Sequence, residues 1–342
     1  MKAVEAQAQW LDLLAGCLQA RAEWLNSPQH TGAFRLFNGF LEGDPEIVID
    51  VYGRTLVLYN YAAAPESAQE RLELAQNWLL EKLPWVEAVV LKVRHAPNPQ
   101  ERAGRLAYGR APDRRVREHG VWYAVDLTLN LDASFYLDTR NLRAWAIAHL
   151  AGKKVLNTFA YTGSLGVAAR AGGAEQVIHI DRSRRFLNLA KDSYALNGFA
   201  VNRADFLTGD FWVLTARLKR EGRLFDCVFV DPPFFSITTA GKVDLVSESH
   251  RVINKVRPLV GHDGYLAVVN NALFLSGEEY MKMLAELCSD GYLSIEERIP
   301  VPPDITGFPE TQLGQLPVDP APFNHSTKIV ILRVRRKDER RA

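Results

Sequence analysis

KVLNTFAYTGSLGVAARAGGAEQVIHID, residues 154–181, decides the fold of this chain. It opens on an apolar pair, Val155–Leu156, of the kind that fills a buried parallel strand. A polar, glycine-containing turn follows over 157–163. The alanine-rich segment 164–171 reads as a helix, ended by the pair Gly172–Gly173. A second strand over 176–180 finishes on Asp181. Strand, turn, helix, strand and acid in this order form a nucleotide-type cofactor site at the edge of a parallel sheet. The turn presents backbone N–H groups at a helix N-terminus. The acid, 18 residues past Gly163, can accept hydrogen bonds from ribose hydroxyls.

Toward the C-terminus the same alternation continues. Residues 183–196 read as a helix, 201–206 as a strand, and Thr208-Gly209-Asp210-Phe211-Trp212 as the start of another helix. A buried strand over 225–230 runs straight into Asp231-Pro232-Pro233-Phe234. Residues 243–258 read as helical. The strand 265–269 ends in Asn270–Asn271, and Ser276-Gly277-Glu278-Glu279 is a capping box. Strands over 293–299 and 327–334 flank a proline-rich loop. The pattern predicts an α/β fold, a Rossmann-like doubly wound sheet of seven strands whose last pair makes an antiparallel edge.

Toward the N-terminus the pattern changes. Residues 4–25 carry Val4, Trp10, Leu11, Leu14, Cys17, Leu18 and Leu25 at helical spacing, and Cys17 reads as a small core residue. Residues 33–130 read as a small α+β domain: strands over 47–51 and 55–61, a helix over 66–83, then strands over 89–93 and 121–129. The expected division is therefore 1–32 (amphipathic helix), 33–130 (small domain) and 131–342 (doubly wound domain). Residues 92–119 hold eight Lys/Arg against three acids, with Tyr108 among them. Arg94, Arg114, Arg115 and Arg117 are candidate phosphate-backbone contacts; the plain alternative is a solvated, mobile hairpin. Ser134 to Arg140, with Tyr136, can close over a ligand or serve as an interdomain joint.

Composition bounds the rest. Net charge is +1, so any attraction to nucleic acid is local. Three widely spaced cysteines suit a reducing compartment and argue against a disulfide scaffold or a zinc cluster; no metal is expected. No apolar run approaches a membrane span, and Glu5 and Asp12 interrupt the N-terminal pattern, so a cytoplasmic protein is expected.

Ligands of open α/β sheets bind beyond the carboxyl ends of the strands. Four polar clusters fall there: 157–163, Asp181, Asp210–Phe211 and Asp231–Pro233. Asp210 can accept from an adenine amino group while Phe211 stacks on or bounds the ring. Pro232 fixes φ and removes an N–H, leaving carbonyls and the Asp231 carboxylate facing a substrate. This combination resembles the class I S-adenosylmethionine-dependent methyltransferases. FRLFNG (34–39), IVIDVYG (47–53), FYLDTRNLR (135–143), the 155–174 turn and helix, the VIHID acid and FDCVFVDPPFFS (225–236) are similar to the bacterial large-subunit rRNA methyltransferases of the I type and of the K half of the K/L enzyme. The resemblance covers roughly residues 33–335. It implies that S-adenosyl-L-methionine is the cofactor. Tyr136, Asn157, Phe159, Tyr161 and Gly163 would line it, Asp181 would hold the ribose, and Asp210 and Phe211 the adenine. Asp231 would face cofactor and target.

The departures from the family carry information. The 32 residues before the matched region are too few for the PUA domain of the I type, and a THUMP region is not seen. Thr139 stands where the family usually has Gln, and Val51 where it often has Arg. I-type enzymes attack cytosine carbon-5, which becomes nucleophilic only after a cysteine adds to the ring. Their cysteine follows the fifth strand of the sheet; here Asn270–Asn271 stands there, as an Asn pair does in the K half, which methylates guanine N7. The expectation is methylation of a base of ribosomal RNA at a heteroatom, without a cysteine, with Asp231, Pro232, Asn270 and Asn271 at the acceptor. A structural role, capping the strand and the next helix, stays open for the Asn pair. So do a protein or small-molecule acceptor, and a non-catalytic RNA-binding factor.

Overall fold

The computed structural model describes residues 2–342. It divides into two units. One takes the chain up to Leu137 together with Pro302–Gln315, and the other takes Asp138–Val301 and Leu316–Ala342.

In the first unit five strands form one sheet in chain order: β1 (Ala33–Phe37), β2 (Ile47–Tyr52), β3 (Thr55–Asn60), β4 (Ala88–Val93) and β5 (Arg105–Gly109). Neighbours are antiparallel except β3 and β4, which are parallel and joined through the helix Gln69–Lys82. β2 and β3 are almost wholly buried. Leu72, Ala75 and Leu79 of that helix and Trp10, Leu14 and Cys17 of the helix Lys2–Ala20 share their core. Cys17 is 1% exposed, and burial, then the Glu42 carboxylate, push its thiol up to about 12. It is an inert core residue.

The basic segment 92–119 is ordered structure and not a single solvated hairpin. It contains Lys92 at the end of β4, the short helix Pro99–Ala103, β5, and β6 (Arg115–Glu118), which pairs antiparallel with β7 (Val121–Ala124). Lys92 is 2% exposed and donates to the carbonyls of Ala103, Asn130 and Asp132. That cation closes a loop, so it does not belong to a surface charge patch.

The second unit is built on a seven-stranded sheet: β8 (Lys154–Thr158), β9 (Gln176–Asp181), β10 (Phe206–Thr208), β11 (Phe225–Val230), β14 (Val260–Asn270), β15 (Leu293–Ile299) and β16 (Lys328–Val334). Their spatial order is β10-β9-β8-β11-β14-β16-β15. The first five are parallel, and β16 runs antiparallel to both β14 and β15. This is the expected doubly wound sheet with an antiparallel edge pair. The switch between β8 and β11, where strand order reverses, places the carboxyl ends of β8, β9, β10, β11 and β14 along one edge. Among the described residues no helix is long and apolar enough to cross a membrane.

Two local readings differ. The segment 243–258 is α-helical only over Ser249–Val256, followed by a 3-10 turn over Arg257–Leu259. A hairpin precedes it, β12 (Phe235–Thr238) with β13 (Gly241–Asp244). Val243 and Leu245 both reach the core, a spacing of two that belongs to extended chain. The third strand of the sheet is Phe206–Thr208, because Arg203–Asp205 is a 3-10 turn capped by the Asn202 side chain.

Candidate active site

The turn after β8 is held by its backbone. Phe159, Tyr161 and Gly163 alternate at φ 51°, 51° and 81°, all left-handed, which for the two aromatic residues is strained. A side chain at Gly163 would place its Cβ 2.5 Å from Ala190 Cβ, so glycine is needed for both conformation and space. The helix Ser164–Ala171 starts there without a side-chain cap. Beneath the turn lies a buried network: Asn157 Nδ2 meets His179 Nδ1 at 3.4 Å, and His179 Nε2 meets the Tyr194 hydroxyl at 3.1 Å. Burial pushes His179 down to about 3, so it is a neutral spacer. Asn157 is 1% exposed and its side chain supports the turn from below.

Asp181, at the end of β9, ties the turn to the sheet. Oδ2 accepts from Tyr161 N at 2.8 Å and Oδ1 from Ser183 N at 2.8 Å. Arg182 N is a third backbone donor to this carboxylate, which has about four acceptor positions, so acceptor capacity remains. Burial raises the Asp181 pKa while these backbone donors pull it down. One strand over, Asp210 caps the helix Phe211–Arg220 through Oδ1, from Trp212 N at 2.8 Å and Val213 N at 3.3 Å. Its Oδ2 takes no hydrogen bond among the described residues. Phe211 is 4% exposed and stacks on Phe159, centroids 4.3 Å apart. The two rings make one apolar wall between the β8 turn and Asp210.

Asp231 follows β11 and is half-buried, and Pro232 is buried behind it. Burial first, then the Asp138 carboxylate, push Asp231 up to about 7, against the pull of the Arg143 guanidinium. Arg143 is itself fully buried, donating to Thr139 Oγ1 at 2.8 Å, and Asp138 accepts from Thr327 Oγ1 at 2.9 Å. Asp138 and Arg143 lie within the FYLDTRNLR motif. Sequence reasoning passed over both; a charged pair flanking Thr139 was the available signal.

The Asn pair divides. Asn270 is 0% exposed; Nδ2 donates to Leu245 O at 2.9 Å and to Ser249 Oγ at 3.4 Å, and Oδ1 accepts from Ala272 N at 2.9 Å. Asn271 is exposed and its Nδ2 lies 3.5 Å from Pro232 O, beside the Asp-Pro-Pro turn. Cys227 is fully buried inside β11, where burial raises its pKa. Cys288 ends the helix Gly277–Cys288, shortly before β15.

The remaining predicted residues sit in the first unit. Tyr136 is 41% exposed and its hydroxyl donates to Asp132 at 2.9 Å. Arg94 pairs with Asp132 at 3.8 Å and Arg114 with Asp126 at 3.3 Å. On the β6–β7 hairpin the Arg115 and Arg117 guanidiniums lie 4.7 Å and 5.6 Å from the Trp122 ring centroid.

Carboxylates at the ends of β9, β10 and β11, beside a strained turn and an apolar wall, define a doubly wound α/β protein built around a nucleotide-type cofactor. The chain belongs to the S-adenosylmethionine-dependent methyltransferase family, whose model matches residues 52–313. The protein named Ribosomal RNA large subunit methyltransferase I in Photobacterium profundum is 28% identical over 281 residues, 81% of this chain and 70% of that protein. The Ribosomal RNA large subunit methyltransferase K/L of Colwellia psychrerythraea is 31% identical over 251 residues, 68% of this chain and 34% of that one. The crystal structure of SMU.776 complexed with SAH shares the fold with a TM-score of 0.82 at 20% identity, covering 96% of this chain and 82% of that chain. This protein is therefore a methyltransferase, and S-adenosylmethionine is its cofactor. Its acceptor set suits that molecule: the remaining acceptor capacity of Asp181 for a diol, the open Oδ2 of Asp210 for an amino group, and the Phe159–Phe211 wall for a purine ring.

Proposed function

We propose that this enzyme methylates a base of ribosomal RNA at a heteroatom, a guanine ring nitrogen foremost, without a cysteine nucleophile. The observation that carries this reading is the end of β14. Asn271, with an amide and no thiol, stands next to the Asp231-Pro232 turn. The names of the relatives support ribosomal RNA as the acceptor and the cytoplasm as its place.

In this reading Asp181 holds the ribose, Asp210 the adenine amino group, and Phe159 with Phe211 bounds the ring. Tyr161 and Gly163 shape the turn, and Asn157 supports it. When bound, the cofactor supplies a methyl group on a positively charged sulfur. A ring nitrogen with its own in-plane lone pair would accept that group without prior covalent activation of the base. The protein's share is orientation and polar support. The Asp231 carboxylate and the Pro232 carbonyl accept from the base's donor edge, and Asn271 orients it. Asn270 is a positioning residue that holds the 245–249 segment against β14. Arg94, Arg114, Arg115 and Arg117 of the small domain contact the RNA backbone.

Two experiments test this. Cys227→Ala and Cys288→Ala are expected to retain methyl transfer; loss of all transfer in a folded, cofactor-binding variant would overturn the cysteine-free mechanism. Charge reversal at Arg114 and Arg115 is expected to weaken RNA binding and flatten its salt dependence. An unchanged salt slope would favour a protein or small-molecule acceptor.

A further inference from the structure

The second unit exposes aromatic side chains beside its reaction edge. On the β12–β13 hairpin, Phe235 is 50% and Ile237 67% exposed, two residues apart and so on one face of the strand. On the loop after Asn271, Phe274 is 69% exposed. Large apolar rings exposed at the surface call for a partner.

Both segments are fastened to the acceptor turn. Leu245 N donates to Phe234 O at 3.1 Å, and Asn270 Nδ2 donates to Leu245 O, so one buried amide ties the hairpin base to the start of the Phe274 loop. Asn271 reaches Pro232 O from that same loop. At its other end the hairpin rests on Trp212, since a Cβ at Gly241 would lie 2.5 Å from Trp212 Nε1. The hairpin is thus fixed between the Asp231 turn and the helix that Asp210 caps. Its outer face also carries an ion pair: Lys242 Nζ lies 5.4 Å from the Phe235 ring centroid and 2.9 Å from Asp244 Oδ2.

The geometry points to a clamp for unpaired RNA: Phe235 with Ile237 and Lys242 on one arm, Phe274 on the other, stacking on the nucleobases that flank the target. Rings with an adjoining cation suit a polymer that presents π faces along an anionic backbone. A protein partner would be served by the apolar side chains alone; the attachment to the acceptor turn favours RNA. The inference rests on the RNA reading above.

The test uses the full-length protein, a labelled single-stranded RNA oligonucleotide and its duplex, titrated across a salt series with cofactor affinity measured alongside. Phe235→Ala and Phe274→Ala are each expected to weaken single-strand binding roughly tenfold, as loss of one stacked base does. The salt slope, duplex binding and cofactor affinity are expected to stay unchanged, and Phe→Trp at either position to restore binding. Unchanged single-strand affinity in the double Ala variant would overturn the clamp while leaving RNA methylation intact. An equal loss on duplex would also overturn it. A wild-type protein that binds no RNA yet methylates a protein or small molecule would overturn the RNA reading itself, and the clamp with it.

Discussion

Asn270→Ala separates structure from chemistry at the acceptor edge. The side chain is fully buried and holds two main-chain groups: the Leu245 carbonyl, and the Ala272 N–H through its own oxygen. Leu245 is 1% and Ala272 0% exposed, so water does not replace the lost partner at either. An unpaired buried polar group costs about 1–3 kcal/mol, which for two groups puts the variant roughly 2–6 kcal/mol below wild type. The hairpin base and the Phe274 loop lose their common tie, so turnover is expected to fall with stability. Urea unfolding followed by tryptophan fluorescence reads the first, as a lower midpoint at unchanged slope. Single-turnover methylation at saturating cofactor reads the second. A variant as stable as wild type that binds cofactor normally and has lost all turnover would refute the argument, because Asn270 would then act on the acceptor directly.

Gly163→Ala is expected to cost about 1–2 kcal/mol for its left-handed backbone. The 2.5 Å approach to Ala190 adds about 1–3 kcal/mol of overpacking, and calorimetric titration would show weaker cofactor binding. Asp231 gives a pH dependence. Its folded pKa, about 7, lies above the ordinary carboxylate value of 3.8, so the folded state binds the proton more tightly. The group therefore destabilises the fold above pH 7, and that loss is recovered as pH falls from 7 toward 4. Turnover that needs the ionised carboxylate falls over the same interval, and Asp231→Asn is expected to remove that limb of the rate profile at lower overall rate. A wild-type profile flat between pH 5 and pH 8 would contradict this.

Much of the fold was legible because buried parallel strands are short apolar runs that end in polar residues. Val155–Leu156, the run before Asp181 and the run before Asp231 all read directly, and the parallel order brings their ends to one edge. The hairpin at 235–244 was not legible: Val243 and Leu245 alternate with period two for too few residues to stand apart from the helix that follows. Lys92 counted as surface charge because its three carbonyl partners lie up to 40 residues away in the chain. The two readings of Asn270 could not be told apart in sequence for the same reason, since the carbonyl it holds is 25 residues upstream. The Asn157 amide meets His179, a partner visible only once β8 and β9 pair.

The central claim is methyl transfer to a nucleobase heteroatom. It is tested most directly by incubating the purified enzyme with isotopically labelled S-adenosylmethionine and ribosomal RNA from cells lacking the gene, then digesting to nucleosides for mass spectrometry. The account predicts label on a guanine ring nitrogen. Label on cytosine carbon-5, or none in RNA while a protein or small molecule becomes labelled, would contradict it.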